Sequence, residues 1–217
     1  MSDIFQEVDE EVRREQLKKL WDRYGHFVAA AAILVLAGIG GWRGYEWWQG
    51  RLAAQSGAAF ESAATLAEAG KHSEAEAAFS KIASDGTASY RSLARMRAAA
   101  ELAANDPKAA ATAYESIAAD GAVGRDLADL AALRAGEILI DQGAFGEARR
   151  FLEPLTGNDR TFRHSAREFL VLAAWRAGDM ALAKPWVDMI MTDLQTPAAT
   201  RARVEMLVAL SGSQQKG

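Results

Sequence analysis

Gln142-Gly-Ala-Phe-Gly-Glu-Ala-Arg-Arg-Phe-Leu152 is the stretch whose reading decides the fold. Three other segments align with it: AGKHSEAEAAF from Ala69, ANDPKAAATAY from Ala104 and AGDMALAKPWV from Ala177. One column holds Gly70, Asn105, Gly143 and Gly178, a second Ala75, Ala110, Ala148 and Ala183, and a third Phe79, Tyr114, Leu152 and Val187. All three columns recur at the same spacings of 35, 38 and 35 residues, which marks an internal repeat. Gly or Asn takes the left-handed conformation that ends a helix and allows a tight turn. The alanine five positions later sits where a second helix crosses the first, and a larger side chain would push them apart. Four positions further on, the large apolar residue shares that face and fills the groove between the helices.

Working outward, Leu66, Gly136 and Leu139 fall on the inner faces of the first helices. The spacing predicts helix pairs over 53–69 with 73–84, 89–104 with 107–119, 124–142 with 145–154, and 162–177 with 180–193. The third unit is the most complete. The second has Glu101 where a leucine is expected, with Leu102 beside it. Pro107 and Pro197 stand at helix starts and Pro154 at a helix end, while Pro185 should kink its helix or mark a late start. A last helix over 198–210 caps the stack. Residues 211–217 form a polar disordered tail. A hairpin of about 34 residues with this small/large code resembles the tetratricopeptide repeat.

Composition agrees. The chain of 217 residues holds 47 alanines, 4 prolines and no cysteine, which favours helices over strands. Without cysteine there is no disulfide scaffold, thiolate metal site or cysteine nucleophile. A net charge of −4 gives no electrostatic case for nucleic acid as a partner.

The average conceals Tyr24–Trp42, YGHFVAAAAILVLAGIGGW, nineteen residues without a formal charge. At about 1.5 Å per residue, a helix of that length nearly matches a hydrocarbon core of about 30 Å. Trp21, Tyr24 and Phe27 flank one end, and Trp42, Tyr45, Trp47 and Trp48 the other, as headgroup anchors do. Arg13, Arg14, Lys18, Lys19 and Arg23 precede the run, against Arg43 and Arg51 after it, which places the N-terminus in the cytoplasm. A cleaved signal peptide needs a short basic leader and a small-residue cleavage site. Here the leader is long and acidic and the run ends in Trp, Arg and Tyr, so an uncleaved anchor is expected. The organisation is then a cytoplasmic tail over 1–23, a transmembrane helix over 24–43, a juxtamembrane linker over 44–57 and a repeat domain over 58–210. Ile4, Phe5, Val8, Val12, Leu17, Leu20 and Trp21 give the tail an amphipathic helical pattern, supported by Glu15 and Lys19 at i,i+4. Ala37/Gly41 and Gly40/Gly44 are small pairs at the spacing that lets helices approach.

No signature of catalysis accompanies this frame. His26, His72 and His164 are far apart, without partners at ligand spacing, and no HExxH, Walker or GxSxG pattern occurs. Glu137, Glu147, Glu153 and Glu168 read as solvated helix faces. We expect no catalytic, cofactor or metal residue, and a protein that is not an enzyme. Surface recognition remains. Arg95, Glu137, Glu168 and Trp175 are the positions expected to face a protein-binding groove lined by the first helices. Tyr90, Arg91, Arg95 and Arg97 form one basic–aromatic cluster, and Arg160, Arg163, His164 and Arg167 another. Both read first as solvated faces, and Trp175 and Trp186 as packing between repeats.

Together, the short mixed-charge tail, the single span closing in Gly41-Trp42-Arg43, the four weak repeats and the Pro-Ala-Ala-Thr-Arg-Ala-Arg helix from Pro197 resemble a bacterial family. It is the ancillary SecYEG translocon subunit, whose TPR-like domain is related to cell-division coordinator repeats. The resemblance implies an inner-membrane protein with a periplasmic repeat domain. Its implied partners are Sec translocon subunits, a membrane-anchored periplasmic chaperone of the prolyl-isomerase-like type, and the lipid bilayer. The family brings no cofactor and no catalytic residue. The competing expectation is an envelope or cell-division scaffold that forms homo-oligomers through the span and repeats.

Overall fold

The computed structural model describes residues 3–214, with side chains described for Arg14 and for 17–212. The tail positions Ile4, Phe5, Val8 and Val12, and the Glu15–Lys19 pairing, lie outside those described side chains, and residues 215–217 lie outside the described chain. Among the described residues there are nine α-helices, one short 3-10 turn and no strand. The fold is all-α, as the alanine content requires. Residues 1–54 and 55–217 form two units.

In the first unit, every described residue belongs to α1 (Asp3–Glu68), whose residues 55–68 open the second unit. The segment 44–57, expected to join span and repeats, is helical throughout. Its three glycines carry a helix-propensity cost, but no proline interrupts it. One helix among the described residues is long and apolar enough to cross a membrane, and it is this one. Ile33, Leu34, Val35 and Leu36 are all exposed, Leu34 at 72%. Soluble monomers rarely expose a run of large apolar side chains of this kind. At each end an arginine lies over an aromatic ring, Arg23 over Tyr24 at 5.8 Å and Arg51 over Trp47 at 5.5 Å. That places charge and ring together at the two edges of the apolar run.

The second unit is a stack of helical hairpins. The end of α1 pairs with α2 (His72–Asp85), α3 (Ala88–Leu102) with α4 (Pro107–Ala118), and α5 (Arg125–Asp141) with α6 (Phe145–Leu152). The 3-10 turn Glu153–Leu155 holds Pro154; then α7 (Arg163–Arg176) pairs with α8 (Lys184–Thr192), and α9 (Ala198–Gln214) follows. The late start of α8 is one of the two outcomes expected of Pro185, which occupies its first turn. Helix α9 runs on through Ser211–Gln214, beyond the expected helix end at 210.

The first column does its job in three units of four. Gly70, Gly143 and Gly178 have φ of 72°, 75° and 72°. Each ends its helix with the same two bonds: Gly70 N donates to Ala67 O and Lys71 N to Leu66 O, and the pattern repeats at Gly143 and Gly178. Asn105 departs from the expectation, since no described non-glycine residue has positive φ. There the turn closes through Asn105 N and Asp106 N, both donating to Leu102 O, and Asp106 caps α4 by accepting from Ala109 N at 2.9 Å. The side chain of Asn105 is free to donate to Ser73 of the preceding unit, at 3.2 Å.

The second column holds throughout: Ala75, Ala110, Ala148 and Ala183 are each 0% exposed. In the third, Phe79, Tyr114 and Leu152 are buried. Val187 is only half-buried, because the late start of α8 re-aims its inner face to Trp186 and Ile190. Glu101, the apparent misfit, is buried and binds His72 Nδ1 at 2.8 Å across the first two hairpins, with Arg97 3.6 Å from its other oxygen. A leucine there would pack but could not make that link.

A cleft of arginines and the expected groove

Beyond the helix crossings, polar side chains tie the third hairpin to the fourth and the fourth to α9, at separations near one repeat. Thr161 donates to Asp126 at 2.9 Å, and Arg160 Nη1 reaches both oxygens of Asp129 at 2.9 and 3.0 Å. Arg176 donates to Asp141 at 2.6 Å, and Arg125 pairs with Asp159. Arg203 of α9 holds both oxygens of Glu168, the Nη2 bond being 2.8 Å. Carboxylates that read as solvated faces are therefore partly structural. Glu168 is mostly buried, held by Arg203 of α9, while Glu137 pairs with Arg134 on its own helix and Glu153, at the start of the 3-10 turn, with Arg149 of α6.

The densest of these sites lies between the loop after the 3-10 turn and the loop joining α8 to α9. Arg167, 3% exposed, donates Nε and Nη2 to Thr156 O at 3.0 and 2.7 Å, Nη2 to Asn158 at 2.7 Å and Nη1 to Asp193 Oδ2 at 3.0 Å. Arg163 reaches the same carboxylate oxygen at 3.5 Å and donates Nη2 to Gln195 Oε1 at 2.5 Å. Arg201 donates Nη2 to the Asp193 carbonyl at 3.2 Å, and its Nε is buried without a hydrogen-bond partner. Asp193 closes the α8–α9 loop by accepting from Gln195 N at 2.9 Å. That backbone bond first, then Arg167 and Arg163, hold its carboxyl below the ordinary 3.8. His164 pairs with Thr196 at 3.3 Å and lies 3.9 Å from Asp193. Burial first, then the Arg163 charge, hold its imidazole below the ordinary 6.5. The cleft beside these groups has a volume of about 700 Å³, and Met189, Leu194 and Gln195 line it with Arg163 and Arg167.

These two shifts predict a two-stage acid dependence of stability. Above 6.5, His164 is neutral folded and unfolded and contributes nothing to the slope. As pH falls below that value, the unfolded chain takes up a proton that the folded chain resists, so stability drops until the folded-state value is passed. Asp193 acts lower down: its stabilisation is complete above 3.8 and is lost as pH falls through its folded-state value. Thermal melts from pH 8 to pH 3 should show both stages, and His164→Gln should flatten the first alone.

The four groove positions lie on α3, α5 and α7. Arg95 pairs with Asp120 at 2.5 Å and stands in the wall of a smaller cleft, about 240 Å³, with Glu76, Ser80 and Leu102. Glu137 is held by Arg134 at 2.7 Å and Glu168 by Arg203. Trp175 is half-buried, with its Nε1 buried and unbonded. None of these last three lines either cleft. The first basic–aromatic cluster disperses: Arg97 lies over Phe79 at 5.4 Å, and Tyr90 packs on Phe60 at 5.8 Å. The second does not disperse, but neither is it a solvated face, since Arg160, Arg163 and Arg167 are engaged and partly or wholly buried. A signal for this was present in the sequence, because opposite charges recur near one repeat apart, as in Asp129/Arg160 and Glu168/Arg203. Among the described residues, no group of three or more His, Cys, Asp or Glu could hold a metal ion.

A family model described as a tetratricopeptide repeat-like domain matches residues 18–188, most of the chain and including the apolar run. No curated protein and no solved structure matches.

Proposed function

Because this chain belongs to the tetratricopeptide repeat-like domain family, we propose that it is a membrane-anchored adaptor whose repeats bind other proteins on the periplasmic side of a bacterial inner membrane. It associates with Sec translocon subunits or with a membrane-anchored periplasmic chaperone, and it carries out no catalysis itself. The observation that carries this is the pairing of an exposed apolar helix, edged by aromatic and arginine pairs, with a protein-binding repeat fold in one chain. The excess of Lys and Arg before the span supports the orientation. Tethering raises the effective concentration of a weak binding surface at the membrane, so such a surface needs little intrinsic affinity.

Topology is the first test. A reporter active only outside the cytoplasm, fused after Gly217, should be active, and a cytoplasmic reporter there should be silent; the reverse pattern overturns the orientation. Crosslinking in intact membranes should then recover translocon subunits or a chaperone. Mid-cell accumulation without those crosslinks would assign the chain to a self-associating envelope scaffold instead.

A further inference from the structure

We infer that the arginine cleft between the 3-10 turn and the α8–α9 loop is a docking site for an extended segment of a partner protein that presents a carboxylate beside a bulky apolar side chain. This rests on the adaptor reading and adds to it the place and chemistry of one contact.

Charge comes first. Arg163 and Arg167 share the single carboxylate of Asp193 and Arg201 donates to its backbone carbonyl, while Arg160 is matched by its own partner, Asp129. Among the residues lining the cleft, two guanidinium groups against one carboxylate leave an excess of one positive charge, with His164 neutral nearby. Much of Arg167 is committed to the protein itself, through four hydrogen bonds. Arg163 is not so committed. A guanidinium has five N–H donors, and those of Arg163 make two long bonds, to Asp193 at 3.5 Å and Arg160 O at 3.4 Å, and a single short one.

The acceptor of that third bond points to the chemistry of the occupant. The bond goes to the side-chain carbonyl of Gln195, an exposed residue of the loop, at 2.5 Å. A neutral amide oxygen stands where a carboxylate oxygen would turn the bond into an ion pair, and an exposed side chain is readily displaced. Beside it, Leu194 is 94% exposed and Met189 is exposed on α8. A leucine turned almost wholly into water next to an arginine-lined cleft offers an apolar contact to the residue flanking the incoming acid. The volume, about 700 Å³, lies within the range of ligand pockets, roughly 300–1,000 Å³, and suits a few side chains of a peptide.

The test uses the full chain in detergent and a short fluorescein-labelled peptide of alternating Glu and Leu, acetylated and amidated so that no terminal charge contributes. Versions with Gln for Glu, Ser for Leu and Lys for Glu serve as controls. The Glu–Leu peptide should bind most tightly, with about tenfold loss for the Gln version and no binding for the Lys version. Gln195→Glu should weaken binding about tenfold or more while raising the melting temperature, because it places a carboxylate on Arg163 from within. Leu194→Ser should weaken the Glu–Leu peptide severalfold and leave the Glu–Ser peptide unchanged. Equal binding of the Glu–Leu and Lys–Leu peptides, or undiminished binding by folded Gln195→Glu, overturns the inference. Displacement by inorganic phosphate with no preference for leucine overturns it too, reducing the cleft to a plain anion site. Crosslinking in intact membranes separates this from the adaptor reading. If the unaltered chain captures an envelope partner and Gln195→Glu captures it equally, the cleft is wrong and the adaptor stands. If the unaltered chain captures none, the adaptor reading fails, and the peptide titration still judges the cleft.

Discussion

Gly136→Leu should unfold the third hairpin, and even Gly136→Ala should destabilise the repeat domain by about 1–3 kcal/mol. A Cβ at this position would lie 2.6 Å from both Cγ and Cδ2 of Leu152. Leu152 cannot step aside cheaply, because it is fully buried and packed among the third and fourth hairpins with Leu139, Ala148 and Leu170. Adding atoms there separates α5 from α6 or forces Leu152 off its rotamer. Leu152→Ala alone leaves a cavity and should cost about 2–5 kcal/mol. In the double variant Gly136→Ala/Leu152→Ala the new methyl enters that cavity, so the two costs should sum to more than the measured loss. Urea unfolding of the four chains, followed by helical circular dichroism, measures the coupling directly. Strict additivity would show that the two residues do not meet.

The other large effect belongs to Arg167. Arg167→Ala should destabilise the chain by about 3–5 kcal/mol, the range for removing one partner from a buried charged network. It leaves Thr156 O and Asn158 without their donors and takes from Asp193 its shortest arginine contact. Arg167→Lys should recover little of the loss. An ammonium is a single point of charge, whereas the guanidinium reaches Thr156, Asn158 and Asp193 in three directions from one plane. Because the side chain is nearly inaccessible, the loss should persist in high salt, unlike that of an exposed pair such as Lys184–Asp188. Melting curves at low and high ionic strength distinguish the two behaviours. If lysine restores full stability, charge alone matters at this position and the hydrogen-bond geometry does not.

Both effects arise at positions that the repeat pattern marks unequally. Gly136 was legible as an inner-face residue of a first helix, and its partner Leu152 as the residue that fills the groove. Their 2.6 Å approach was not legible, because it depends on how closely two helices cross. Arg167 was legible only as one of a local group of cations. Its partners lie on two loops, at Thr156 and Asn158 on one side and Asp193 on the other. Val187 shows the opposite failure: a position correct by register lost its role to Trp186, because Pro185 delays the helix start.

By itself the sequence determined the all-helical class, the helix-ending turns at Gly70, Gly143 and Gly178, the buried alanine at every crossing and the apolar run of α1. These follow from interactions that close within one helical turn or one tight turn: propensity, period, glycine at the helix end, and proline. Only the tertiary structure decided which charges meet. Glu168 and Arg203, or Asp129 and Arg160, stand about one repeat apart along the chain and become neighbours through the rise and rotation of one hairpin on the next. That rotation is set by packed side chains acting together, so no short window of sequence contains it. The same stacking gathered three arginines around Asp193 and left Leu194 exposed beside them, at a site the expected groove residues do not share.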